Sequence, residues 1–305
     1  MKKLTYISII FVFIISCQKA IEFDLPDVEQ TLVVEATLEN GESPRVIITK
    51  SQGYFDPFDT TSLINLFVTD AEVYLSDGVN NFELNFQILP TNGLPLPLYT
   101  NNNIVGEFGK NYTLNVFHNG DTLTARAKIP QPIYIDSLWF KAYEAYDSLG
   151  FIWANFSDPD TIGNCYRWSA KRINRYSYNY PPPYDNVMGT VKDRRFLSPI
   201  GSSTDDKLFN GLSFDFVFPR GEDGALEGPD DEGLEEGFFK RGDTVVVKNM
   251  TTTYPVYLYV RAMENAAVSN GSIFSSPGNL PYNIEGNGIG IFMGYGVTYD
   301  TLICE

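Results

Sequence analysis

The chain has 305 residues, 38 acidic side chains against 22 basic ones, a formal net charge of −16, three cysteines and one histidine. So acidic a balance excludes nucleic acid, and any anionic surface held by charge alone, as a partner. A single histidine starves any metal centre built on several imidazoles, while an aromatic content of 14%, mostly Tyr and Phe, suits a β-sheet core.

In chain order, Met1-Lys2-Lys3 and the apolar run from Leu4 to Ile15 form a positive n-region and an h-region of about 12 residues, the layout of an export signal. The run is too short for a spanning helix, which needs roughly 20 apolar residues. The tetrad Ile14-Ile15-Ser16-Cys17 resembles a bacterial lipobox, in which a small residue precedes a cysteine that is acylated and becomes residue one. Residues 1–16 are therefore expected to be a lipoprotein signal peptide, and Cys17 to carry a covalent lipid of the palmitate type. Each buried methylene contributes about 0.8 kcal/mol, so two or more chains are needed for stable anchoring. Loss of Lys2 and Lys3 takes the net charge from −16 to −18. Residues 17–30 are short, acidic and contain Pro26, and read as a tether.

From Thr31 the grammar is that of short strands. "TLVVEATLENGESPRVIITKS" holds two β-branched runs around Asn40-Gly41, with the loop extending through Glu42-Ser43-Pro44. In "DAEVYLSDGVNNFELNF" and "GKNYTLNVFHNGDTLTARAKIP" apolar and polar residues alternate on either side of a turn. Residues 31–130 are thus expected to be an immunoglobulin-like or transthyretin-like β-sandwich, with Gln52–Leu66 and Leu89–Val105 as long loops.

Residues 131–305 are expected to be a second β-rich domain. "YIDSLWF" and "GFIWANFSDP" read as paired strands with Trp139 and Trp153 as core anchors, and "CYRWSAKRINRY" alternates through Tyr166, Trp168 and Ala170. "DTVVVKNM" is another strand, and "YPVYLYVRAMENAAVSNG" is the one segment with helical period, stopped at Asn270-Gly271. The tail "NIEGNGIGIFMGYGVTYDTLIC" returns to strand, its glycines marking bulges or close backbone approach.

"LVVEATLENGESPRVIITKSQGYFDP", "GKNYTLNV", "IDSLWF", "LFNGLSFDFVFPRG" and "FSSPGNLPYNIEGNGIGIFMGY" resemble a large Bacteroidota-type family of outer-membrane lipoproteins of unknown function, encoded beside TonB-dependent receptors. The resemblance runs from about residue 17 to the C-terminus. It implies an outer-membrane location, facing the cell exterior, and a TonB-dependent barrel protein as partner; it implies no catalytic residue.

The residues themselves supply little catalytic chemistry. His118 sits in His118-Asn119-Gly120-Asp121, a hairpin tip, where an exposed turn residue is expected instead of an oriented base. Calcium suits the oxygen-rich stretches around Asp158 and Asp160 and around Asp230 and Asp231, but neither has the EF-hand register, and the acidic loop from Glu222 to Glu236 reads first as solvated. Cys165 and Cys304 form an even pair after Cys17, open to a disulfide or to two buried thiols. Tyr176, Tyr178, Tyr180 and Tyr184 surround a triple proline, a stiff aromatic display for a ligand or partner or else a loop packed on its own domain. The expectation is a non-enzymatic, lipid-anchored accessory of a TonB-dependent transporter, in a ligand-capture or lid role. The second expectation is a structural component of an outer-membrane assembly or adhesion complex.

Overall fold

The computed structural model describes residues 30–53, 59–90, 95–176, 190–222, 237–269 and 280–305. The N-terminal half contains β1 (Leu32–Glu39), β2 (Arg45–Lys50), α1 (Thr60–Leu66), β3 (Glu72–Ser76), β4 (Asn81–Leu89), β5 (Leu96–Thr100), β6 (Asn111–His118) and β7 (Asp121–Lys128). After them come β8 (Ile135–Tyr143), β9 (Tyr146–Ser157), β10 (Cys165–Arg172), β11 (Arg175–Tyr176), β12 (Thr190–Val191), β13 (Ser203–Asp205), β14 (Ser213–Phe218) and β15 (Phe239–Lys240). The chain closes with β16 (Thr244–Thr252), α2 (Tyr254–Ser269), β17 (Ile284–Gly286) and β18 (Gly288–Ile303). The fold is mainly β, as the alternating sequence predicts, and its sheets pack face to face.

One 12-stranded sheet runs in the order β13-β10-β16-β18-β1-β2-β5-β4-β3-β6-β7-β17. Period-two burial makes its first core: Leu32, Val34, Ala36 and Leu38 of β1 point inward with Tyr112, Leu114 and Val116 of β6. That core also takes Ile284 and Phe292 from the C-terminal end of the chain. The expected boundary at residue 130 therefore does not close a unit. β18 pairs in parallel with β1 and antiparallel with β16, so the last strand joins the two halves.

β18 can do this because both its faces are covered. Phe292 enters the first core, while Ile291, Met293, Tyr295 and Val297 pack with Met250 of β16 and with Val256 and Val260 of α2. A strand buried on both faces reads as a continuous apolar run, which is what "GIGIFMGYGV" is. α2 forms where the period predicts it; Thr253 accepts the first helical bond from the N–H of Tyr257 at 3.0 Å, and Pro255 lies in the first turn, where a missing N–H is harmless. The ladder continues past β1 through a side chain: Asn40 Oδ1 accepts from the N–H of Val297 at 2.5 Å. Lys248 on β16 reaches across β18 to Glu39 on β1, its Nζ 2.6 and 2.7 Å from the two carboxylate oxygens.

The second core lies between β10 and β16 and a smaller sheet of β14, β9 and β15, with β8 on the far edge of β9. Trp168, Ala170, Val245 and Val247 face Ile152, Ala154, Phe218 and Phe239 across it. The expected anchors Trp139 and Trp153 are not in this core. A register shift between Ile135 and Ser137 inserts one residue, Asp136, into β8. The bulge sends Ile135, Leu138 and Phe140 inward together and turns Trp139, opposite Trp153, to the other face. Simple alternation from Ile135 cannot foresee that exchange.

Two expected loops also contain elements. Gln52–Leu66 ends in α1, whose first turn is closed by the Leu63 N–H to Asp59 carbonyl bond of 3.0 Å. Leu89–Val105 contains β5, in which Pro97 masks the strand signal. β5 pairs with β2 only at Val46–Tyr99, so Pro97 sits where no second ladder demands an N–H.

The cysteine pair resolves into two buried, unbonded thiols. Cys165 stands opposite Thr252 on β16, whereas Cys304 follows Ile303, which is opposite Thr244. They are separated by most of the length of β16, about 25 Å at 3.3 Å per residue, far beyond disulfide reach. An even cysteine count carries no distance, and here it misleads. Burial first, and the nearby Asp205 and Asp206 second, push the Cys165 thiol up to about 12. Burial and Asp243 do the same to Cys304, also to about 12. At pH 8 such a thiol is ionised in only about one molecule in ten thousand. Iodoacetamide at pH 8 is therefore expected to leave both unmodified in the folded protein and to label both in denaturant, as read by mass spectrometry. A Cys165–Cys304 linked peptide in a non-reducing digest would refute the arrangement.

Candidate functional site

A concavity opens between the two sheets, at the end where β13 and β14 are edge strands. It encloses about 190 Å³ and its walls are largely aromatic. β10 contributes Tyr166 and Trp168, neighbours on one face because side chains alternate along the strand. β14 reads "SFDFVF", so Phe214, Phe216 and Phe218 point the same way, and its register sets Phe214 opposite Phe156 of β9.

Two of these ring pairs meet edge to face. Phe156 and Tyr166 have centroids 4.8 Å apart at 76°, and Phe216 and Phe218 are 4.1 Å apart at 88°. Phe209 covers the end of the cleft, 4.8 Å from Phe214 and 6.3 Å from Tyr166. In the segment around Phe209, Leu208 is 93% exposed and Leu212 56%.

The turn that carries Phe209 is tied by two buried carboxylates. Asp206, fully buried, accepts from the N–H groups of Gly163 (2.7 Å) and Asn164 (2.8 Å). Asp158 accepts a short hydrogen bond from the Tyr166 hydroxyl, and its second oxygen accepts from the Gly211 N–H at 3.0 Å. Burial, then that bond to Asp158, pushes the Tyr166 phenol far above its ordinary value, so it stays a donor at any physiological pH.

The polar part of the lining is small. Asn249 donates to the carbonyl of Ile133 at 2.8 Å, and Ser202 donates to Glu264 at 3.1 Å. Arg167 touches the lining too, but its side chain lies on the opposite face of β10 from Tyr166 and Trp168, toward Tyr295. An aromatic cleft with a few fixed polar groups has the lining of a small-ligand site. A 190 Å³ space takes one ring or a short branched chain, since an apolar cavity of about 150 Å³ holds benzene.

The sequence-predicted residues are distributed otherwise. Asp158 lies beside the cleft as a structural acceptor, and Asp160 accepts a 3.3 Å bond from Asn210 in the same turn. Among the described residues no group of three or more His, Cys, Asp and Glu is placed to hold a metal. Asp230 and Asp231 lie outside the described residues, as do Cys17, Tyr178, Tyr180 and Tyr184. Tyr176 ends the two-residue strand β11.

His118 is not the exposed turn residue expected. It is 8% exposed and 3.2 Å from Asp70, because it continues the inward phase of Tyr112, Leu114 and Val116 on β6, and the turn itself falls on Asn119 and Gly120. The phenylalanines of the cleft went unassigned in the sequence, although the every-second-residue Phe of "SFDFVF" is the signal that marks them.

Comparison with known proteins adds one match. A family profile described as Domain of unknown function (DUF4249) covers residues 18–301. No curated protein matches the chain.

Proposed function

The chain belongs to this family of unknown function, and from that premise we propose that it is a lipid-anchored accessory of a TonB-dependent transporter at the outer membrane, facing the cell exterior and capturing ligand for the barrel. The observation that carries the reading is the lipobox-like tetrad Ile14–Cys17 standing directly before the start of the family match at residue 18. A tether from residue 18 to the first strand at Leu32 reaches up to about 50 Å when extended, enough to hold the β body beside the rim of a neighbouring barrel. The ligand-capture role is supported by the aromatic cleft, whose buried acids are spent on hydrogen bonds that hold its walls.

The test is a pull-down of the lipidated chain from mild-detergent extracts of its native cells. A large barrel protein is expected to co-purify, and Cys17→Ser is expected to move the chain out of the membrane fraction and lose the barrel. Absence of any barrel after crosslinking in cells would end the proposal.

A further inference from the structure

The outward face of the small sheet is an aromatic surface that no buried core uses. The bulge at Asp136 brings Trp139 and Lys141 to that side, where β9 presents Phe151, Trp153 and Asn155. Pairing across β8, β9 and β14 sorts the side chains into rows. One row is Trp139, Trp153 and Val217, and the next is Ser137, Asn155 and Asp215. The two indoles lie within 20° of parallel with centroids 6.3 Å apart. Further along, Tyr143 is 5.5 Å from Phe238 and 6.2 Å from Phe151, and remains 45% exposed. None of these rings belongs to the three buried clusters.

The polar row decides what such a face can hold. Asn155 Nδ2 donates to Asp215 Oδ1 at 2.7 Å in an exposed pair, and the Lys141 ammonium stands 5.4 Å from the centre of the Trp153 ring. A wholly apolar partner would strip water from an amide, a carboxylate and an ammonium and return nothing. An anionic ligand would meet Asp215 and the strongly negative chain. What fits is an uncharged molecule with C–H groups on its flat faces and hydroxyls on its edges. A pyranose ring is that: its axial C–H groups lie against an indole while its hydroxyls both donate and accept at Asn155 and Asp215.

We propose that this face binds a neutral polysaccharide, with sugar rings seated on Trp139 and Trp153 and the chain continuing along β9 toward Tyr143 and Phe238. The site is separate from the cleft, on the opposite side of the small sheet, and extends the ligand-capture reading without depending on the barrel.

The test is affinity electrophoresis of the purified full chain in detergent, through native gels cast with a mixed-linkage β-glucan, a galactomannan or a dextran, and in parallel with polygalacturonate. Retardation is expected in at least one neutral gel, with Trp153→Ala and Asn155→Ala each weakening it about tenfold and Leu208→Ala, at an exposed position beside Phe209, leaving it unchanged. Asn155 is half-buried but outside every core, so its variant reads binding even if loss of an indole disturbs folding. The proposal is overturned if no neutral gel retards the chain, if only polygalacturonate does, or if Asn155→Ala migrates as the parent. Because the assay uses the chain alone, any of these results leaves the barrel association standing.

Discussion

Gly290→Ala is expected to lower the unfolding free energy by about 3–5 kcal/mol and the melting temperature by about 10 °C. Gly290 is paired with Val34 in the parallel β1–β18 ladder, at φ +133°. A Cβ built there would lie 1.9 Å from the Val34 carbonyl oxygen, well inside contact distance and against main chain, which has no rotamer in which to escape. Strain and overpacking therefore add, at the strand that carries both halves of the molecule. Gly41 provides the internal control, since its φ is +80° but a Cβ would meet nothing within 4 Å. Gly41→Ala should cost only about 1 kcal/mol, the backbone term alone. Urea unfolding of the two variants side by side checks the difference. Equal losses would mean that β1 and β18 do not approach as described.

The same strand explains where the sequence was legible. Alternation marks β1 and β6 because each has one face more buried than the other, so a period of two survives in the composition. The glycines of the tail announced close approach, and Gly290 bears that out. What alternation could not carry was pairing between distant segments. Nothing local to "GIGIFMGYGV" says that it lies beside "LVVEATLE", so the composition suggests a boundary at residue 130 where the sheet has none. The misplacement of Trp139 has a different origin. One bulge residue inverts the phase of β8, and a single inserted residue leaves no compositional trace.

The candidate site was less legible than the fold for a physical reason. Its walls come from β9, β10, β14 and the turn at Phe209; only "SFDFVF" concentrates rings, and Phe156, Tyr166, Trp168 and Phe209 come from segments apart from it in sequence. Carboxylates read as candidate metal ligands in a sequence, which shows a side chain's chemistry and not its partners. Asp158 and Asp206 have their oxygens occupied by protein N–H and O–H donors, and that occupancy is what a three-dimensional arrangement adds.

Asp158 supplies the second large effect. Asp158→Ala removes the acceptor from the Tyr166 hydroxyl and from the Gly211 N–H at once, and Tyr166 is itself buried at 5% exposure. Stranding buried donors costs about 1–3 kcal/mol each, so the expected loss is about 2–4 kcal/mol once the loosened turn lets the Gly211 N–H reach water. That loosening has a place: the Phe209 turn should gain amide hydrogen exchange, while the β1–β18 ladder should not. Tyr166→Phe removes the donor instead and should cost less by itself. In the double variant the two losses should fall short of their sum, because both report the same bond. A calcium site would behave differently. With both Asp158 oxygens engaged by protein donors, neither added calcium nor a chelator should move the melting temperature of the parent chain. A chelator-dependent drop that vanishes in Asp158→Ala would show that the carboxylate holds a cation and not the wall of the cleft.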